Sequence, residues 1–408
     1  GGKTNALAEG QEVHLQFRPS VQDEYGLKDY DVDHLRDGST PVGGDNTIDV
    51  NIIGTNDRPI FTGDAAHWSD AQMLPDKNGV NQESIKESGK ANDASGANDN
   101  VKVTGSITAT DYDNDAQLRY GFKTTSSSGE EMVNKLYVVP GGADGYTLLT
   151  EADFLALGTT DYYGTLNITT NSGSNGASYS FTLKNSSTCV QGMNEGDTLL
   201  VGVDVVVKDE FGAWNDIPLK LQIVGANDAP YFTNGSTGTV KESGVYAPDN
   251  NLFPNPAENT PTTDVGDANL TDPTTPNGEH KLIFSGHVEA NDVDFGDNAK
   301  LTYGMANSGG TPIAAAADGS TTVYYLANGT VTDTVPGNDE YYGTLIMRPD
   351  GSFDFILNDS AHGPANRMSE GETRVITLSP TVSDGQATTV GNGQIVITIV
   401  GTNDVPEL

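Results

Sequence analysis

This chain repeats itself, and that limits its fold more than anything else in it. "IIGTNDRPIF", "IVGANDAPYF" and "IVGTNDVPEL" close three successive segments, each with an apolar run, a glycine, an Asn-Asp pair and a proline. Longer stretches align as well. "MNEGDTLLVGVDVVVKDEFG" matches "MSEGETRVITLSPTVSDG" and "LAEGQEVHLQFRPSVQDEYG", "GSITATDYDNDAQLRYGF" matches "GHVEANDVDFGDNAKLTYGM", and "DYYGTLNI" matches "EYYGTLIM". From Asp57 through Asp228 to Asp404 the period is about 170 to 175 residues. Residues 1–58 then hold the final third of a unit, while 59–229 and 230–408 hold complete ones, each long enough to bury its own core.

Within a unit the pattern is that of short strands. In "YYGTLIMRPDGSFDFIL" two alternating runs flank Asp350-Gly351, a pair suited to the positive φ of a hairpin turn. "VDVVVKD" and "QIVITIV" alternate or run apolar, as strands of a sandwich do. With 48 Gly and 19 Pro, no stretch longer than about two turns keeps a helical apolar period, so an all-β class follows. Each complete unit reads as two packed sheets. Segments 62–83, 124–160 and 245–280 are polar and rich in Gly and Pro, and read as long loops. The strands of residues 1–58 are too few to cover a core; they need strands from upstream or must lean on the next domain.

Charge bounds the partners. The chain carries 57 acidic and 21 basic residues, a formal charge of −36. Such a surface repels nucleic acid and anionic membranes and attracts divalent cations. Solubility alone is a competing explanation, which the placement of the acids tests. The single cysteine, Cys189, excludes an intrachain disulfide or a cysteine-based zinc site. No signal peptide and no 18-residue apolar stretch is present, so membrane insertion is not expected, and the opening "GGKTNALAEG" reads as cut from something longer.

The acids recur in register. Near the start of each complete unit stands Glu87 in "IKESG" or Glu242 in "VKESG"; after an early strand come Asp111 and Asp113, or Asp292 and Asp294. A Glu-Gly precedes a later strand (Glu9, Glu195, Glu370) and an Asp precedes a turn (Asp23, Asp209, Asp384). The closing Asn-Asp adds a carboxylate and an amide oxygen at a joint stiffened by proline. Calcium takes six to eight oxygens of these kinds.

These five elements, in this order, resemble the calcium-binding signature of cadherin-like repeats, and the "GTNDxP" ending resembles the cadherin-like and VCBS repeats of large bacterial RTX adhesins. The resemblance covers nearly the whole chain. It implies tandem Ig/cadherin-like β-sandwich domains in an elongated array, outside the cell on a bacterial surface, extending or scaffolding ligand-binding modules for attachment and biofilm formation. It further implies Ca²⁺ at one joint held by Glu87, Glu195, Asn227, Asp228, Asp292, Asp294 and Asp384. An equivalent joint would use Glu9, Asn56, Asp57, Asp111, Asp113 and Asp209, and a last half-site Glu242, Glu370, Asn403 and Asp404. One departure stands out: where the cadherin linker has a further Asp, two residues before its Asn, this chain has Gly54, Gly225 or Gly401. Fewer ions per joint are expected. The implied partners are neighbouring domains of the same long adhesin and a cell-surface peptide or glycan, with the chain itself a monomer.

Enzyme constellations are missing. The six histidines lie far apart with no His-Glu-x-x-His spacing, and no serine sits in a Gly-x-Ser-x-Gly elbow. The rival reading is a ligand-binding module that recognises peptide or glycan through long loops, with Trp68 or Trp214 as a stacking platform.

Overall fold

The computed structural model describes residues 6–17, 19, 21–26, 28–29, 48–62, 84–89, 102–126, 129–172, 175–242, 282–360, 363–391 and 394–403. Asp404, Trp68 and the loop readings for 63–83 and 245–280 lie outside them. The chain divides into two compact units. One comprises Gly1–Ile85, Asp99–Lys184 and Leu199–Ile223; the other comprises Lys86–Asn98, Asn185–Thr198 and Val224–Leu408.

The first unit is a β-sandwich. One sheet runs in the order Tyr146–Leu149, Lys135–Pro140, Gly164–Thr170, Gly176–Leu183, Lys102–Thr110, Ile60–Thr62. The other runs Ser84–Lys86, Trp214–Val224, Thr198–Lys208, Arg119–Ser126, Gly129–Val133. Two-residue alternation explains the layering: in Gly176–Leu183 the side chains of Ala177, Tyr179, Phe181 and Leu183 are buried. They join Ile107, Leu136 and Leu166 opposite Tyr120, Phe122, Val201, Val205 and Leu221. Phe61 and Tyr120 meet edge to face across the sheets, centroids 6.5 Å apart. Each such side chain contributes about 1.5–3 kcal/mol by leaving water. In the same unit, Glu12–Phe17 pairs antiparallel with Ile48–Ile53 as a two-stranded sheet.

The loop reading of 124–160 is corrected. That stretch holds strands Gly129–Val133, Lys135–Pro140 and Tyr146–Leu149 and a helix, Glu151–Leu157. The Thr150 hydroxyl caps the helix by accepting the Asp153 N–H, and Gly158 ends it at φ 67°. Its Phe154 stacks on Tyr137 at 3.9 Å, with Tyr162 edge-on. Seven residues are too few to display a helical period, so the fold of the segment is set by this packing.

The second unit is all-β as well. Its five-stranded sheet runs Ile283–His287, Ser352–Leu357, Tyr341–Met347, Thr321–Leu326, Val331–Thr332. Facing strands form the sheets Ser236–Lys241, Ile395–Val400, Thr373–Leu378 and Thr302–Met305, Pro380–Ser383, Thr388–Val390. Val323, Leu345, Phe353, Phe355, Ile376, Ile397 and Ile399 make its core. The Asp350-Gly351 hairpin is present: Gly351 takes φ 87°, and a Cβ there would meet the Val288 carbonyl oxygen at 2.5 Å. Among the described residues, no helix is long and apolar enough to cross a membrane.

Candidate metal centre

The repeat endings are anchored alike in all three places. The glycine before each Asn donates its N–H to the loop that carries the Glu-Gly: Gly54 to the Gln11 carbonyl, Gly225 to Asp197 and Gly401 to Glu372, each at 2.8 Å. A Cβ on Gly225 would lie 2.4 Å from the Asn194 carbonyl oxygen, and on Gly54 2.4 Å from that of Ala8. A side chain does not fit. The position leaves no room for a carboxylate.

With the loop so held, the N–H of the Asn two residues on reaches its Glu. The backbone N–H of Asn56 donates to Glu9 at 3.0 Å, that of Asn227 to Glu195 at 3.3 Å and that of Asn403 to Glu370 at 2.8 Å. The remaining acids follow the same scheme twice. In the first unit the Asn56 side-chain amide donates to Asp209 Oδ2 (2.9 Å), the Asp57 N–H to Asp113 Oδ2 (2.9 Å) and the Asp113 N–H to Asp111 Oδ1 (3.0 Å). In the second, the Asn227 amide donates to Asp384 Oδ2 (3.0 Å), the Asp228 N–H to Asp294 Oδ2 (2.9 Å) and the Asp294 N–H to Asp292 Oδ1 (3.0 Å). Asp209 and Asp384 are further pinned through Oδ1 by turn amides: Phe211, Gly212 and Ala213, or Gln386 and Ala387.

Each early Asp therefore has one oxygen tied to backbone and the other left over. Asp111 Oδ2, Asp113 Oδ1, Asp292 Oδ2, Asp294 Oδ1 and the amide oxygen of Asn227 are buried without a hydrogen-bond donor. Asp228 and Glu87 are buried as well, with the charges of Asp228 and Asp294 acting on Glu87. Glu87 accepts from the Ala226 N–H at 3.3 Å and from the Gln191 amide at 2.9 Å. Among the described residues, no three His, Cys, Asp or Glu side chains stand close enough to hold a metal ion as placed. The hydrogen-bond scheme and the surplus acceptors recur separately in each unit.

The electrostatics agree. Burial, then the charges of Asp228 and Asp294, pushes Glu87 up to about 8. Burial, then Asp292, Asp297 and Asp384, pushes Asp294 up to about 6 against the opposing Asp228 N–H. Asp292 and Asp111 are raised too, by burial first and neighbouring aspartates after it. For Asp384 burial is outweighed by the N–H groups of Ala387 and Gln386 and the Asn227 amide, so its carboxyl lies below the usual range.

Sequence reasoning missed two residues. Asp297 is fully buried, with one oxygen on Lys300 Nζ at 2.5 Å and the other without a donor. Gln191 braces Glu87. Glu195, in contrast, is exposed and held by Lys86 at 2.9 and 3.1 Å. Glu242, which is buried, accepts from the Thr402 N–H at 2.8 Å. Of the tryptophans, Trp214 is exposed and has the Lys123 ammonium 4.8 Å from its ring centroid, so one of its faces is already occupied.

A buried, acceptor-only set of carboxylate and amide oxygens fits a hard cation. No protein-family model matches the chain, and no curated protein does. Solved structures do. The protocadherin GammaB4 extracellular domain matches at 14% identity and a TM-score of 0.31 over 96% of this chain and 38% of that one. The protocadherin gammaB7 EC3-6 cis-dimer structure matches at 11% and 0.30, over 97% and 58%. Human CDH23 EC21-23 matches at 14% and 0.32, over 84% and 70%. These are cadherin extracellular domains. The chain spans 38% and 58% of the first two, less than two thirds of either, and at these identities and TM-scores the likeness carries no argument about this chain.

Proposed function

We propose that this chain is a non-catalytic, calcium-stiffened extracellular segment of a large bacterial adhesin of the RTX kind, which extends or scaffolds ligand-binding modules. One observation carries the reading: the same hydrogen-bond scheme, built twice at equivalent repeat endings, leaves buried carboxylate oxygens without donors. In one place Glu87, Asn227, Asp228, Asp292, Asp294, Asp297 and Asp384 would hold the cation, with Glu195 at the rim. In the other, Asn56, Asp57, Asp111, Asp113 and Asp209 would do so, with Glu9 at the rim. Glu242, Glu370 and Asn403 offer the beginnings of a third.

Bound calcium supplies positive charge to oxygens that otherwise repel one another. The chain's own residues do the rest. The backbone amides orient one oxygen of each carboxylate, so the other is aimed by the turn that carries it. The Asn side chain ties the repeat ending to Asp209 or Asp384 of a later turn. Binding energy is thereby converted into resistance to bending at the repeat ending.

The test is a thermal melt and small-angle scattering of the full chain in Ca²⁺, Mg²⁺ and EGTA, with Asp294→Asn alongside. At calcium a hundredfold above Kd the gain is about 2.7 kcal/mol for one site. Asp294→Asn is expected to lose much of that gain and to melt higher than wild type in EGTA, since it removes a buried like charge. An unchanged melting temperature and radius of gyration on chelation would refute the reading.

A further inference from the structure

Among the described residues, Ile48–Ile53 lacks a neighbour that both its counterparts have. The register that equates Asn56 with Asn227 and Asn403 equates this strand with the end of Trp214–Val224 and with Ile395–Val400. Beside Trp214–Val224 lies Ser84–Lys86, and beside Ile395–Val400, in parallel, lies Ser236–Lys241. Among the described residues Ile48–Ile53 pairs with Glu12–Phe17 alone.

The two added strands share chemistry. Each carries a buried β-branched residue, Ile85 or Val240, followed by Lys-Glu-Ser-Gly. Their Glu residues turn back on the strand they accompany. The Glu87 N–H donates to the Val224 carbonyl while its carboxylate accepts from Ala226 N–H; Glu242 does the same with Val400 and Thr402. The corresponding residues of the first repeat are Ile53, 61% exposed, and Thr55, also exposed. The inward face tells the same story: Leu15 and Phe17 are 37% and 52% exposed, whereas their counterparts Ile376 and Leu378 are 0% and 1%. An open edge with an apolar face is a template for another strand.

We propose that the edge of Ile48–Ile53 accepts one extended polypeptide strand, laid parallel to it, of the pattern β-branched residue, Lys, Glu, Ser, Gly, whose glutamate takes the Thr55 N–H. A second copy of this chain is not the occupant, because its own strands of this pattern are already paired within its sheets. The strand comes from a polypeptide in which it is not otherwise engaged.

The experiment joins a copy of residues 235–244 through a Gly/Ser tether to the start of the full chain, in EGTA, so that the outcome is independent of calcium. A short tether suffices. A parallel donor ends beside Gly54, whose N–H is bonded to Gln11 near the start of the described chain. Hydrogen exchange of the Ile48–Ile53 amides is then followed by mass spectrometry. We expect the donor to slow exchange at least about tenfold, as for amides moved from a frayed edge into a ladder. Donors carrying Val240→Asp should fail to slow it, and donors carrying Glu242→Gln should slow it less. Unchanged exchange in the fusion, or equal protection by the Val240→Asp donor, overturns the proposal.

Discussion

At the scale of single residues the buried acids store electrostatic cost, and pH exposes it. Glu87 and Asp294 hold their protons more tightly folded than unfolded, so their contribution is complete below the ordinary values of 4.5 and 3.8. It is lost as pH rises through about 6 for Asp294 and about 8 for Glu87. Groups with lowered values, such as Asp384 and Asp354, lose their contribution only in more acidic solution. In EGTA the chain should therefore melt at a higher temperature at pH 5 than at pH 8.5. In saturating Ca²⁺ the decline should shrink or reverse, because the cation replaces the proton. A melt series across that range in both conditions decides it. Gly225→Ala makes a second test: with the Asn194 carbonyl oxygen 2.4 Å from the new Cβ, overpacking should cost about 1–3 kcal/mol in chemical denaturation.

The residues that sequence reasoning found and missed have a common cause. Comparing repeats reveals what repeats share, and the aspartates that donate and accept in the same order twice were legible for that reason. Asp297 was not, because the loop "DVDFGDNAK" is longer than "DYDNDAQ", where Asp115 is exposed at φ 59°. Gln191 comes from the four-residue helix Thr188–Gln191, which no period announces. The three closing glycines looked like lost ligands and are points of backbone contact.

At the scale of elements, the helix Glu151–Leu157 shows where reading by pattern stops. Its cap signal, Thr150 ahead of Asp153, was in the sequence, but a polar, Gly-rich setting concealed it. The helix contributes one buried side chain, Phe154, to a three-ring cluster with Tyr137 and Tyr162. Phe154→Ala should therefore cost about 3 kcal/mol, and Thr150→Ala about 1 kcal/mol, in urea denaturation. Near-equal losses would mean that the cluster, not the cap, has been misjudged. The hairpin at Asp350-Gly351, in contrast, was fully legible, since one dipeptide dictates its turn.

For the whole molecule, the charge of −36 acts beyond the clusters. Without calcium, raising NaCl from 10 to 150 mM shortens the screening length from about 30 to 8 Å and should raise the melting temperature gradually. Calcium should act differently, saturating at micromolar to millimolar concentrations where bulk screening is negligible. A titration of each salt at fixed pH distinguishes a filled site from a neutralised surface.

The parallel pairing of Ser236–Lys241 with Ile395–Val400 has a mechanical consequence. The two strands enter and leave the same repeat side by side and point the same way, so tension between the repeat's beginning and end slides one along the other. Six rungs then share the load at once instead of parting singly, so the pairing resists shear better than peeling.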